Sequence, residues 1–129
     1  MCENKVKRTE RGWAGHFICA DRCLFRRNTL LEYNKLKIIV STVGGMVDIH
    51  AEGYPNKITY TEIGDDRYFE TGAFHAKRDD TRYFDADVNR SIPFKAKWAI
   101  KELDADDKAN EMHEQVVEEI TQKMIYGEI

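Results

Sequence analysis

The chain of 129 residues has a hydrophobic content of 42%, an aromatic content of 11% and a net charge of −3. This composition is typical of one globular domain and excludes an intrinsically disordered protein. There is no apolar run of the ~18 residues that a membrane span needs, and no apolar core of a secretory signal near the start. The three cysteines, an odd number, indicate reduced thiols. We therefore expect a cytoplasmic protein that does not contact membranes.

Charge is spread unevenly along the chain. Residues 1–40 contain nine Lys and Arg against four Asp and Glu, whereas residues 101–129 contain three against nine. A dedicated binder of duplex nucleic acid is normally basic overall, so this balance argues against duplex DNA as a partner. It is compatible with a local cationic pocket or with head-to-tail contact between subunits.

Residues 12–101 predict a strand-rich body, preceded by a segment, 1–11, that we expect to be flexible. Strands are predicted at 36–43, ended by Gly44-Gly45, and then at 46–52, 58–63, 67–77 and 82–89, with a hairpin turn at 78–81. Residues 92–101 alternate between an apolar side and a lysine side, which is typical of a half-buried strand. The apolar side consists of Ile92, Phe94, Ala96, Trp98 and Ile100.

A helix is predicted at 104–126, because apolar residues recur there every three or four positions. Asp104 or Asp106 is expected to cap its start, and Gly127 to end it. The whole chain, residues 1–129, is then a single α+β domain: an antiparallel β-sheet meander followed by a C-terminal amphipathic helix. The helix would dock on the sheet or on a second subunit.

The sequence contains residues for two kinds of metal or catalytic site, but it favours neither. His16, Cys19 and Cys23 could hold zinc with His50 or His75, but the chain lacks the paired Cys-x-x-Cys spacing of structural zinc sites. Asp85 and Asp87, with Glu70 across the hairpin, could bind Mg²⁺ or form a solvated face. We therefore expect no metal, no other cofactor and no catalytic residues.

Recognition of an anion and a base is the chemistry that the sequence favours. Arg22, Arg26 and Arg27 lie within six residues and are followed by Asn28 and Thr29. Guanidinium groups bind phosphates through two parallel hydrogen bonds, and amides suit the edges of bases. The candidate stacking residues are Tyr68, Tyr83 and Phe84. The remaining candidate ligand-binding residues are His75, Asp87, Asn89 and Arg90.

Several segments resemble a family of small proteins carried by bacteriophages and prophages. They are RGWAGHFICADRCLFRRNTLL, STVGGM, RYFETGAFHA, FDADVNR, SIPFKAKWAI and DDKANEMHE. In length, strand-rich body and C-terminal helix the chain is similar to the anti-Thoeris sponge proteins, which bind cyclic ADP-ribose isomers, and sometimes cyclic oligonucleotides, without degrading them. The resemblance implies that the arginines near Arg27 grip phosphates. It further implies that Tyr83 or Phe84 stacks on adenine, that Asn89 or Arg90 completes the pocket, and that the protein is a homo-oligomer.

Three functional hypotheses follow. The first is a binding protein in the bacterial host cytoplasm that sequesters a small nucleotide immune signal. The second is a protein-directed inhibitor of a host effector, such as a CRISPR complex or a nuclease, whose acidic C-terminal third mimics nucleic acid. The third is a small Mg²⁺-dependent hydrolase or nuclease that uses Asp85, Asp87 and Glu70.

Overall fold

The computed structural model describes residues 5–11, 16, 19–77 and 85–129. Its elements in chain order are β1 (Lys7–Glu10), a 3₁₀ turn (Ala20–Arg22), β2 (Cys23–Tyr33), β3 (Leu36–Val47), β4 (Tyr60–Thr61), β5 (Phe69–Ala76), β6 (Ala86–Ser91), β7 (Ala99–Ile100) and α1 (Asp106–Ile125).

One antiparallel sheet contains all of these strands. The main order is β1-β2-β3-β5-β6, with β4 paired to β3 and β7 paired to β5. A tight turn at Asn34-Lys35 joins the two long central strands, and Asn34 takes the left-handed backbone angle (φ 55°) that such turns require. The structure confirms the expected α+β class, with an antiparallel sheet followed by one C-terminal helix.

The sheet has two chemically distinct faces. The face against α1, here called the helix face, buries Leu31, Ile38, Val40 and Ala73 against an apolar stripe of the helix that includes Val116 and Ile120. Because side chains alternate along a strand, the intervening residues form the opposite face, here called the second face. It contains a buried apolar cluster of Leu30, Ile39, Phe74, Ala76 and Ala86. Val43 on this face belongs to a second cluster, with Ala20, Cys23, Met46 and Ile63.

The prediction that Gly44-Gly45 ends the strand at 36–43 was wrong, because β3 runs on to Val47. Gly44 is required inside the sheet by a close approach of the neighbouring strand. A Cβ at this position would lie 2.1 Å from the ring of Phe69 and 2.7 Å from the carbonyl oxygen of Tyr68. The glycine therefore allows the strands to pack together rather than separating them.

Three other predicted strands are shorter than expected. Residues 48–57 form turns, so the strand predicted at 46–52 was wrong beyond Val47, and the one predicted at 58–63 is reduced to Tyr60–Thr61. Of the alternating residues 92–101, only Ala99–Ile100 form a strand, although Ile92 N and Trp98 O also bond to the backbone of β5. The carboxylate of Glu119 in α1 accepts hydrogen bonds from the backbone N–H groups of Lys95 (2.7 Å) and Ala96 (2.9 Å). These donors are therefore bound to the helix instead of a strand, and Trp98 is 48% exposed.

The two ends of the fold also differ in detail from the expectation. Residues 7–10, placed in a flexible segment, form β1 and pair with Thr29–Glu32 of β2. At the start of α1, Ala105 is the capping residue and no side chain caps the helix, so neither Asp104 nor Asp106 has that role. Gly127 ends the helix as expected, with φ +70° and a hydrogen bond from Glu128 N to Lys123 O. In the described part of the chain, no helix has the length and apolar character needed to cross a membrane.

Candidate functional site

A row of small and polar residues crosses the middle of the second face. Asn28 of β2, Ser41 of β3 and Gly72 of β5 lie directly opposite one another in the sheet register. Asn28 is 1% exposed and Ser41 is fully buried. Polar side chains are costly to bury without hydrogen-bond partners, so this row is chemically unlike the apolar clusters on either side of it.

His16 lies against this row and links it to a carboxylate. Its Nδ1 atom is 3.0 Å from Ser41 Oγ, and its Nε2 atom is 3.6 Å from Glu70 Oε1. The imidazole ring also packs on Phe74, with 5.3 Å between the ring centroids. The His16 and Glu70 side chains are only 10% and 13% exposed. The result is a chain of hydroxyl, imidazole and carboxylate groups near the edge of the buried row.

Arg67 continues this chain toward the surface. Its Nε and Nη2 atoms are both 3.2 Å from Glu70 Oε2, and its guanidinium carbon lies 5.0 Å from the centroid of the Trp98 ring. Gly64 makes room for this group, since a Cβ there would lie 2.5 Å from the guanidinium carbon. The guanidinium is thus held in one orientation by a ring, a glycine and a carboxylate.

The charge of Glu70 depends on these neighbours. Burial alone would raise the pKa of Glu70, but the hydrogen bond with His16 and the charges of His16 and Arg67 outweigh that effect and lower it below its ordinary value. Glu70 is therefore ionised at neutral pH. We call His16, Asn28, Ser41, Arg67, Glu70 and Trp98 the second-face cluster.

One of the predicted phosphate-binding arginines, Arg26, lies on the same face as this cluster. Arg26 is exposed and shares the second face with Asn28, two residues along β2. Arg22 lies in the 3₁₀ turn that precedes β2, and its Nη2 donates to Cys19 Sγ over 2.8 Å. Of the candidate ligand residues, the structure therefore brings Arg26 and Asn28 to the same face, and Arg22 lies in the turn that leads into their strand.

Arg27 and Thr29 lie on the opposite side of the sheet, in a network of ion pairs. Arg27 Nε donates to Glu10 Oε1 over 3.1 Å, and its Nη2 donates to Glu114 of α1. Glu114 also accepts from Arg8, and these two arginines lower the pKa of its carboxyl to about 2. The guanidinium of Arg27 is thus already bound to carboxylates from β1 and α1.

The same network continues into the core through His113, which is fully buried. Thr29 Oγ1 donates to Glu10 Oε2 (2.8 Å), and it lies 2.7 Å from His113 Nε2, from which it must accept. Nδ1 then accepts from Thr42 Oγ1 at 2.7 Å, and Thr42 in turn accepts from Thr71 at 2.7 Å. Burial, assisted by the charge of Arg27, lowers the pKa of His113 to about 4, so its ring is neutral at neutral pH. The network ties four strands to the helix and explains the buried histidine structurally.

The other candidate ligand residues are dispersed. Asp87, Asn89 and Arg90 lie on β6, where Arg90 Nε pairs with Asp87 Oδ2 at 3.0 Å and its Nη2 donates to Ala76 O at 2.6 Å. Asn89 N–H donates to Asp87 Oδ1. This group is separated from β2 by β3 and β5, so the described residues do not place it with the arginines of β2.

The candidate aromatic residues and His75 lie in three different parts of the chain. Tyr68 packs against the cluster of Phe69, Ile100, Ala105, Ala109 and Met112 at the start of the helix. His75 lies opposite Ile38 and is half-buried. Tyr83 and Phe84 lie outside the described residues, as does the predicted turn at 78–81.

Glu70 lies on the strand that precedes β6, as expected, but it is not grouped with Asp85 and Asp87. Glu70 pairs with Val43 and Ala99, whereas β6 pairs with the other end of β5, at Phe74 and Ala76. Within residues 5–11, 16, 19–77 and 85–129, no three His, Cys, Asp or Glu side chains are grouped so that they could hold a metal ion. Cys19 and Cys23 are free thiols, and burial raises the pKa of Cys23 to about 11.

Sequence reasoning missed the most organised residues of the site. Trp98 was expected on the apolar side of a half-buried strand, and neither Arg67 nor Ser41 was among the candidate ligand residues. The register of β2 on β3 was the available signal, because it places Ser41 directly opposite Asn28.

No protein-family model, no curated protein and no solved structure matches this chain significantly. The chemistry of the second-face cluster is therefore the available guide to what the protein binds.

Proposed function

We propose that this protein is a phage-encoded anti-defence protein that binds and sequesters a nucleotide-derived immune signal in the bacterial cytoplasm. The ligand class is a cyclic ADP-ribose isomer or a cyclic oligonucleotide, held without cleavage. The protein would act as a homo-oligomer, as the family resemblance implies. The observation that carries the proposal is the fixed Arg67 guanidinium on Trp98, next to the buried Asn28–Ser41 row.

Each part of a nucleotide has a chemical counterpart in this cluster. The exposed Arg26 is suited to phosphate oxygens, which guanidinium groups bind bidentately. Arg67 adds a fixed positive charge beside it, with its Nε–Nη2 edge paired to Glu70. Trp98 is 48% exposed and offers a ring on which a base can stack, a contact worth about 1–3 kcal/mol. The Asn28–Ser41 row is buried beneath these groups, and the Ser41 hydroxyl holds the His16 ring, so the row positions the cluster from within the sheet.

Binding without turnover fits the position of Ser41 better than hydrolysis does. The hydroxyl, imidazole and carboxylate of Ser41, His16 and Glu70 occur in the order used by serine hydrolases. However, Ser41 is fully buried in the middle of β3 and pairs with strands on both sides. The backbone N–H groups around it bond within the sheet, so they are not available to stabilise an oxyanion. The chain of groups therefore serves to fix the site rather than to attack a substrate.

Isothermal titration calorimetry tests the proposal with a panel of cyclic ADP-ribose isomers and cyclic di- and trinucleotides. We expect one member to bind with a Kd in the nanomolar range, about −12 kcal/mol. Mass spectrometry after denaturation should return the ligand unchanged. Absence of binding across the panel, or recovery of a cleaved product, would contradict the proposal.

Arginine variants locate the site. Arg67→Gln should weaken binding about 10- to 100-fold, because a hydrogen bond to a charged group contributes about 1.5–3 kcal/mol. Arg8→Gln, which removes the same charge from the helix face, is the matched control and should bind like the wild type. Arg27→Gln distinguishes the two faces of the sheet. If this variant loses affinity for the ligand and Arg67→Gln does not, the ligand binds on the helix face instead.

A further inference from the structure

A cavity of about 500 Å³ lies where α1 begins, and none of its lining residues belongs to the second-face cluster. Its volume is in the range of small-molecule sites. Aromatic and aliphatic side chains from β2, β4, β5 and the segment before α1 form its apolar part: Leu24, Phe25, Tyr60, Phe69 and Leu103. Leu24 and Leu103 are 68% and 40% exposed, so the apolar lining reaches the surface.

The polar rim of this cavity is strongly acidic. Asp104, Asp106 and Asp107 line it together with Lys108. The Lys108 ammonium is paired with Glu102, so it does not neutralise the aspartates. None of the three aspartate side chains has a hydrogen bond or an ion pair with any residue in the described ranges.

Helix capping does not account for these aspartates. Side-chain capping is the usual role of aspartate at a helix start, yet α1 has Ala105 as its capping residue and no side-chain cap bond. The helix dipole places only about half a positive charge at this end. Three carboxylates outweigh it, so the potential at the cavity mouth is negative and phosphates are disfavoured there.

We propose that this cavity is a second binding site, for a small organic cation that carries an apolar body. Aromatic rings attract an ammonium or guanidinium group through their faces, and the carboxylates pair with its charge. The apolar body would lie on Phe25, Tyr60 and Phe69. This site differs from the second-face cluster in both position and charge, so it does not depend on the function proposed above.

Phenethylammonium is a suitable probe because it joins an aromatic ring to one ammonium group. In a ¹⁵N heteronuclear NMR titration at pH 7, we expect saturable shifts at Gly45, Tyr60 and residues 103–108. The neutral analogue 2-phenylethanol should bind at least fivefold more weakly, and the anion 3-phenylpropionate should not bind. No saturable shift at these residues, or equal affinity for the ammonium and the alcohol, would overturn the proposal.

Two variants and a matched control complete the test. The double substitution Asp104→Asn and Asp107→Asn should weaken phenethylammonium at least fivefold, and Leu103→Lys should do the same through charge and bulk. The double substitution Glu52→Gln and Glu128→Gln removes two exposed charges outside the cavity and should change the affinity less than twofold. Circular dichroism confirms that each variant is folded. Unchanged affinity in both cavity variants would refute the assignment.

Discussion

His113 should make the folded protein sensitive to acid. Its pKa falls from 6.5 to about 4 on folding, because the ring is buried and Arg27 lies near it. Each pKa unit corresponds to 1.36 kcal/mol, so the shift amounts to about 3 kcal/mol. The unfolded chain binds a proton at this residue between pH 6.5 and 4, and the folded protein does not. Stability is therefore unaffected by His113 above pH 6.5 and decreases as the pH falls toward 4.

Urea unfolding at pH 7 and pH 4, followed by circular dichroism, measures this effect. Glu10, Glu114 and Glu70 also have lowered pKa values, so their protonation adds to the acid loss in every variant. His113→Gln removes only the histidine contribution and keeps a side chain that can donate and accept. Its free energy of unfolding should decrease with acid by about 3 kcal/mol less than that of the wild type.

The matched control is His50→Gln, since His50 is an exposed histidine in a turn. It should reproduce the acid dependence of the wild type. The reasoning is refuted if His113→Gln and the wild type lose the same free energy of unfolding between pH 7 and pH 4. That result would mean that the imidazole is accessible to protons in the folded state.

Three further substitutions test the packing. Gly44→Ala should lower the free energy of unfolding by about 1–3 kcal/mol, because the alanine Cβ would overlap the Phe69 ring. An unchanged urea midpoint would show that β3 and β5 do not approach so closely. Glu119→Ala should lower the free energy of unfolding by about 1–3 kcal/mol, because two backbone donors lose their carboxylate acceptor. The control Glu118→Ala should lower it by less than about 0.5 kcal/mol. Equal effects of the two substitutions would contradict this explanation. Arg27→Gln should lower the free energy of unfolding by about 1 kcal/mol at low salt and by less in 1 M NaCl, because its ion pairs are partly exposed. A decrease that does not depend on salt would contradict this explanation.

The helix and the sheet class follow from local sequence patterns. Apolar residues at helical spacing between Ala105 and Met124 predict α1, and the observed helix starts two residues after the predicted boundary. The turn at Asn34-Lys35 fixes the register of β2 on β3, because a two-residue turn leaves only one pairing of the strands that follow it. From that register, Asn28 opposite Ser41 can be predicted from the sequence.

The second-face cluster could not be predicted in this way, because its contacts join distant parts of the chain. His16 and Glu70 are 54 positions apart, and Arg67 and Trp98 are 31 positions apart. Between Ile92 and Trp98, whose backbones bond to β5, the N–H groups of Lys95 and Ala96 donate to Glu119 of the helix. The alternation of residues 92–101 is a correct local pattern that this tertiary contact overrides.

NMR mapping of a bound cyclic nucleotide tests the central claim most directly. With the tightest ligand of the calorimetric panel, the account predicts the largest backbone and side-chain shifts at Asn28, Ser41, Arg67 and Trp98. Signals of Arg27 and His113 on the other side of the sheet should move little. Shifts centred on Arg27, or on β6 at Asp87–Arg90 without change at Arg67, would contradict the assignment of the ligand to the second face.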